Sequence, residues 1–144
     1  MARVMAINRS EKKGTIKTPI KEGRFLKNHG LQGDAHAGNW HRMVSLLAKE
    51  SIDKMIAQGV KGLGPGKFAE NITTEGIELH TLPIGTKLKI GETVQVVTQI
   101  GKECHSGCAI KQQVGECIMP KEGIFTKIIK EGVIRPGDPI EILK

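Results

Sequence analysis

Thr86-Lys87-Leu88-Lys89-Ile90-Gly91-Glu92-Thr93-Val94-Gln95-Val96-Val97-Thr98-Gln99-Ile100 is the most regular stretch of this 144-residue chain, and it reads as a β-hairpin. Leu88 and Ile90 share one face before the break, and Val94, Val96, Thr98 and Ile100 share one face after it. A period of two is the spacing of a strand, whereas a helix repeats every 3.6 residues. Gly91-Glu92 supplies the turn between the two runs.

The same pattern extends outward on both sides. Residues 4–7 and 44–47 are short apolar runs that read as strands, residues 68–74 lead into another, and 139–143 close the chain after the turn Arg135-Pro136-Gly137-Asp138. Lys12-Lys13-Gly14, residues 62–66 and residues 81–85 read as further turns. Between them, residues 16–27 read as a basic loop anchored only by Ile16 and Ile20. One helix is clear, over residues 49–58, with Ile52, Met55 and Ile56 on one face and Gly59 as the residue that ends it. Residues 110–117 suit a short helix, and 123–132 suit a helix or a buried strand equally well. Eighteen glycines placed singly between short runs favour tight turns over long helices. No βαβ alternation is visible. The expectation is a single domain over residues 1–144, mostly β. It would be a small closed or partly open β-barrel of short strands with one helix and short helical excursions.

The net charge is +7, and residues 1–27 carry eight Lys/Arg against two Asp/Glu. Such a region favours anionic partners, although solvated surface is the expected place for any single lysine in it. A nucleic-acid-binding barrel is disfavoured, because single-strand binders stack bases on aromatics and this chain has one Trp, three Phe and no Tyr. No apolar stretch approaches the roughly 18 residues that span a bilayer, and no secretion signal is recognisable, so no membrane partner is expected. The chain reads as cytoplasmic, with its three cysteines reduced and available for chemistry.

Chemistry concentrates in two places. Lys102-Glu103-Cys104-His105-Ser106-Gly107-Cys108 follows the hairpin directly. A thiol next to cations is biased toward thiolate, the nucleophile and soft metal ligand, and Cys104 has Lys102 and His105 beside it. Cys108 is less polar in context, and Cys117 reads as a small core residue. Cys104-x-x-x-Cys108 is only a weak match to zinc-site spacing. The second place is residues 28–42, a polar loop with three histidines and three glycines. There Gly33, Asp34 and His36 offer flexible backbone, a carboxylate and an imidazole. His41-Arg42 adds a guanidinium suited to phosphate, and His29 reads as an exposed turn residue. Asn71, just before a strand, is by itself an Asx-turn residue.

Taken in order, Gly33-Asp34-x-His36, Phe68-Ala69-Glu70-Asn71-Ile72-Thr73, Ile84-Gly85-x-x-Leu88-x-Ile90-Gly91, Cys104 and Arg135-Pro136-Gly137-Asp138 resemble the MOSC domain, the C-terminal domain of molybdenum-cofactor sulfurase. The likeness runs from about residue 30 to 144 and is to small stand-alone members. It implies a barrel-like β fold and binding of molybdenum cofactor, a pterin carrying a phosphate. By this resemblance Cys104 is the metal ligand, with Cys108 the second candidate. Gly33, Asp34, His36, Arg42, Asn71 and Lys102 would hold the cofactor, and His105 would assist Cys104. Two activities stay open. One is reduction of N-hydroxylated substrates with electrons from a redox partner. The other is carriage of sulfur as a persulfide taken from a cysteine desulfurase. The short chain lacks the extra N-terminal barrel of the larger enzymes in the family.

Overall fold

In a computed structural model, the chain is described over residues 2–10, 17–34, 37–38, 43–57, 59, 64–66, 70–101 and 122–143. The quoted hairpin forms as β7 (Lys87–Ile90) and β8 (Thr93–Ile100), paired antiparallel with Leu88 opposite Gln95. Leu88 and Ile90 are fully buried. On β8 the buried face is Thr93, Gln95 and Val97, while Val94, Val96 and Thr98 are half-buried and Ile100 is exposed. The polar members of the buried face hydrogen-bond inside the protein. Gln95 donates to Thr93 Oγ1 at 3.1 Å and accepts from Thr126 Oγ1 at 2.5 Å. Hydrophobicity alone had pointed to the other side of the strand.

The remaining strands are β1 (Arg3–Arg9), β2 (Thr18–Ile20), β3 (Gly23–Leu26), β4 (Gly30–Leu31), β5 (Val44–Ala48), β6 (Ile72–Glu75), β9 (Ile124–Lys130), β10 (Gly132–Ile134) and β11 (Ile140–Leu143). The main sheet runs β11-β7-β8-β9-β5-β6-β1-β2, and a second one runs β10-β3-β4. Val4 N donates to Asp138 O at 2.8 Å, and Ile140 N donates to Ala2 O at 3.0 Å. These bonds bring the start of β11 against β1, so the sheet curls into a partly open barrel. Within it lie Ile7, Leu46, Ile72, Leu88, Ile90, Val97 and Ile124, all at most 1 % exposed. Each such side chain contributes about 1.5–3 kcal/mol by leaving water.

Four sequence expectations change. Within residues 123–132, Ile124–Lys130 forms strand β9, because the segment pairs with both β5 and β8 and is buried on both faces at Ile124, Phe125 and Thr126. The loop expected up to Lys27 contains β2 and β3. Phe25 is fully buried, and its register opposite Gly132 and Leu31 supplies the order that its own short run does not. β5 and β6 pair in parallel, so β5, helix α1 (Lys49–Ala57) and β6 make one βαβ crossover where none was expected. On α1, Ile52 and Met55 are buried but Ile56 is 47 % exposed, one step past the packed stripe. Gly59 does close the helix at positive φ, donating to Ile56 O at 3.0 Å. The turn at Lys12-Lys13-Gly14 and the short helix over 110–117 lie outside the described residues. Among the described residues, no helix is long and apolar enough to cross a membrane.

Candidate functional site

The end of β1 and the starts of β5 and β6 carry polar residues where their apolar runs stop, and the register sets these side by side. Asn8 N donates to Asn71 O at 2.7 Å, and Asn71 N donates to Ser45 O at 2.9 Å. The Asn71 side chain then ties the row together. Its Oδ1 accepts from Ser45 N and Ser45 Oγ at 3.1 and 3.2 Å, and its Nδ2 donates to Asn8 O at 3.3 Å. Asn71 is therefore a buried clamp across three strands rather than a turn residue.

Asp34 comes to the same cluster from the loop after β4. Its Oδ1 accepts from Lys17 Nζ at 2.7 Å and from Ser10 N at 3.1 Å, and Lys17 Nζ also donates to Ser10 Oγ at 3.2 Å. The two side chains are 0 % and 1 % exposed, so this is a fully buried ion pair. Glu70, also buried, accepts from Gly66 N at 3.1 Å and Thr73 Oγ1 at 2.8 Å. Asn8 Nδ2 bonds Glu70 O and Thr73 Oγ1, and Asn8 Oδ1 is buried without a partner among the described residues.

Burial by itself raises the Asp34 pKa, but the bonds and charge of Lys17, with Ser10 N and the Asn71 side chain, outweigh it and hold the carboxyl below its ordinary value. A carboxyl depressed in the folded state stabilises the protein above its unfolded pKa of about 3.9. That contribution is lost as pH falls through the lowered folded value. Melting temperature measured from pH 7 downward is expected to hold to about pH 4 and then fall. Asp34→Asn should flatten that acid limb, and an unchanged limb would remove Asp34 from the account.

Gly33 sits at φ 85°, and a Cβ built there would come within 3.3 Å of Arg9 Nη1. The glycine thus lets the exposed Arg9 guanidinium lie against the loop backbone beside the buried cluster. Of the residues singled out from sequence, Gly33, Asp34 and Asn71 meet here. His36, Arg42, Lys102, Cys104, His105 and Cys108 lie outside the described residues, as do Trp40, His41 and Cys117. On either side of Cys104 and Cys108 the chain is described at Gly101 and Gly123, where Gly101 N donates to Gly123 O at 2.6 Å. Gln99 is level with Phe125, Phe125 with Ser45, and Ser45 with Asn71. The end of β8 therefore lies level with the row that holds Asn71, three strand spacings or roughly 14 Å along the sheet.

Sequence reading missed Lys17, Asn8, Ser45 and Arg9. Lys17 in particular was counted with the solvated cations of the N-terminal region. The one available signal was Asn8, a polar residue directly after the apolar run 4–7.

The MOSC domain family model matches residues 33–141. No curated protein matches the chain in sequence. Among solved structures, YiiM from Geobacillus stearothermophilus superposes with TM-score 0.79 at 22 % identity, covering 100 % of this chain and 76 % of that one. The YuaD protein from Bacillus subtilis gives 0.75 at 17 % identity, covering 99 % and 96 %. YiiM from Escherichia coli gives 0.70 at 19 % identity, covering 99 % and 70 %. At these identities the structural likeness establishes the fold.

Proposed function

The chain belongs to the MOSC domain family, and from that premise we propose that it binds molybdenum cofactor, with the Cys104 thiolate as the protein's ligand to the metal. The observation that carries the reading is the cradle at Gly33. There a positive-φ glycine leaves an exposed guanidinium lying against the backbone of a loop anchored from inside by Lys17 and Asp34.

The donor types suit the group. A thiolate is a soft ligand for a high-valent metal, and Arg9 offers a planar fork of donors to the phosphate of a pterin. Arg42 and Lys102 would add positive charge for the same phosphate. Asp34 and Asn71 would act at one remove. Their polar atoms bond Lys17, Ser10, Ser45 and Asn8, so they hold the loop and strand ends in place. His36 and His105 are the groups that would hold or move a proton near the thiolate. When bound, the cofactor supplies two-electron redox chemistry at molybdenum, the class that removes oxygen from an N-hydroxylated compound.

The test is molybdenum content, by elemental analysis, of protein made in a molybdenum-sufficient host. The wild-type chain is expected to retain the metal and Cys104→Ser to lose it, while Cys108→Ser keeps it. Equal contents in wild type and Cys104→Ser would overturn the assignment. Loss in Cys108→Ser alone would move the ligand to the second thiol.

A further inference from the structure

A second concave site lies away from the Asp34 cluster. Helix α1, the 3-10 turn Leu79–Thr81 and the end of β11 enclose a groove of about 860 Å³, within the size range of small-molecule pockets. It shares no described residue with the cluster around Asp34 and Asn71.

Apolar groups form much of the groove. Ala48 and Leu82 are buried, and Ile77 and Ile142 stay partly open along it. Its charges run against those of the whole protein. The chain carries a net +7, yet the described lining holds Glu50, Glu78 and Glu122 against a single lysine, Lys54.

That lysine is already engaged. Lys54 Nζ donates to both Glu122 oxygens at 3.1 Å, and Ser51 Oγ donates to Oε1 at 2.6 Å. Burial pushes the Glu122 carboxyl up, but Ser51 and Lys54 more than reverse this and keep it ionised. Glu50 Oε2 accepts from Gly76 N at 2.9 Å on the groove wall. Glu78 is exposed, and its side chain does not cap the turn that it precedes. With Lys54 matched to Glu122, the carboxylates left facing the groove among the described residues are Glu50 and Glu78. His80 stands on the same side, its Nδ1 4.0 Å from Glu122 Oε1.

An anion entering here would meet an excess of carboxylates over cations among the described lining residues, whereas an ammonium would meet them favourably and could lay an apolar body on Ile77 and Leu82. We propose that this groove binds a small organic cation, a primary amine carried on an apolar body.

The experiment is a titration of the full chain followed by amide NMR shifts. The probe is 2-phenylethylamine, with 3-phenylpropionate as a matched probe of opposite charge. The amine is expected to give saturable shifts centred on Gly76, Ile77 and Thr81, and the acid none there. Glu78→Gln, at an exposed position without a capping role, should weaken the amine roughly two- to fivefold. Lys54→Gln, which releases Glu122, should tighten it. Equal binding of both probes, shifts centred elsewhere, no saturable shift, or full affinity in Glu78→Gln would each overturn the proposal. None of these results bears on molybdenum retention.

Discussion

Lys17→Met is expected to lower the unfolding free energy by about 3–5 kcal/mol, the range for breaking one side of a buried ion pair. The substitution keeps an unbranched chain of similar length, so packing is nearly conserved and the change isolates the charge. What it removes is the ammonium 2.7 Å from Asp34 Oδ1, at a place where both side chains are at most 1 % exposed. The carboxylate keeps its bond from Ser10 N but loses its ion-pair partner, and the desolvation that Lys17 offset becomes a net cost. Asp34→Asn should also destabilise, because it removes the carboxylate charge that faces the buried ammonium. The double variant Lys17→Met/Asp34→Asn should lose less than the two single losses combined, because neither charge then remains. Urea unfolding with a shifted midpoint and an unchanged slope is the measurement. A loss in Lys17→Met below about 1 kcal/mol, the scale of a surface pair, would show that the pair is not buried in solution.

This ion pair also shows what the sequence could carry and what it could not. The hairpin β7–β8 was legible because its alternation is local and glycine breaks it at the turn. Asp34 was legible as a site residue because it stands in a glycine-rich polar loop where a carboxylate has an evident use. Lys17 was not, since nothing near it in the chain marks a lysine whose partner is 17 residues away. Its neighbours are basic, and a count of charges assigns it to water. β9 was ambiguous for a related reason. Ile124, Phe125, Ile128 and Ile129 satisfy either period, and only pairing with β5 and β8 from distant parts of the chain selects the strand. β8 was legible as a strand but not in its buried face, because Thr93 and Gln95 are buried by hydrogen bonds that hydrophobicity does not register. Local pattern thus gave the elements, while the polar interior that positions the candidate site depends on long-range register.

Gly66→Ala is expected to destabilise the protein by about 3 kcal/mol or more, from two costs acting at one atom. Gly66 holds φ 85°, a left-handed conformation that any Cβ strains. In addition, a Cβ built there would overlap the carbonyl oxygen of Lys17, a backbone atom with no rotamer by which to withdraw. The contact is this close because Lys17 N donates to Gly66 O at 2.8 Å while Gly66 N donates to Glu70 Oε2 at 3.1 Å. One glycine therefore joins the segment that delivers Lys17 to the strand entrance that holds Glu70, Asn71 and Thr73. Relieving the overlap means moving Lys17, so the substitution should also weaken the pair with Asp34. This coupling can be measured. In a Lys17→Met/Asp34→Asn background, where the pair is already absent, Gly66→Ala should cost less than it does in the wild type, by about 1 kcal/mol or more. Equal losses in the two backgrounds would mean that the glycine serves only its own turn. A loss under about 1 kcal/mol in the wild type would mean that the close approach of Gly66 to Lys17 is relaxed in solution.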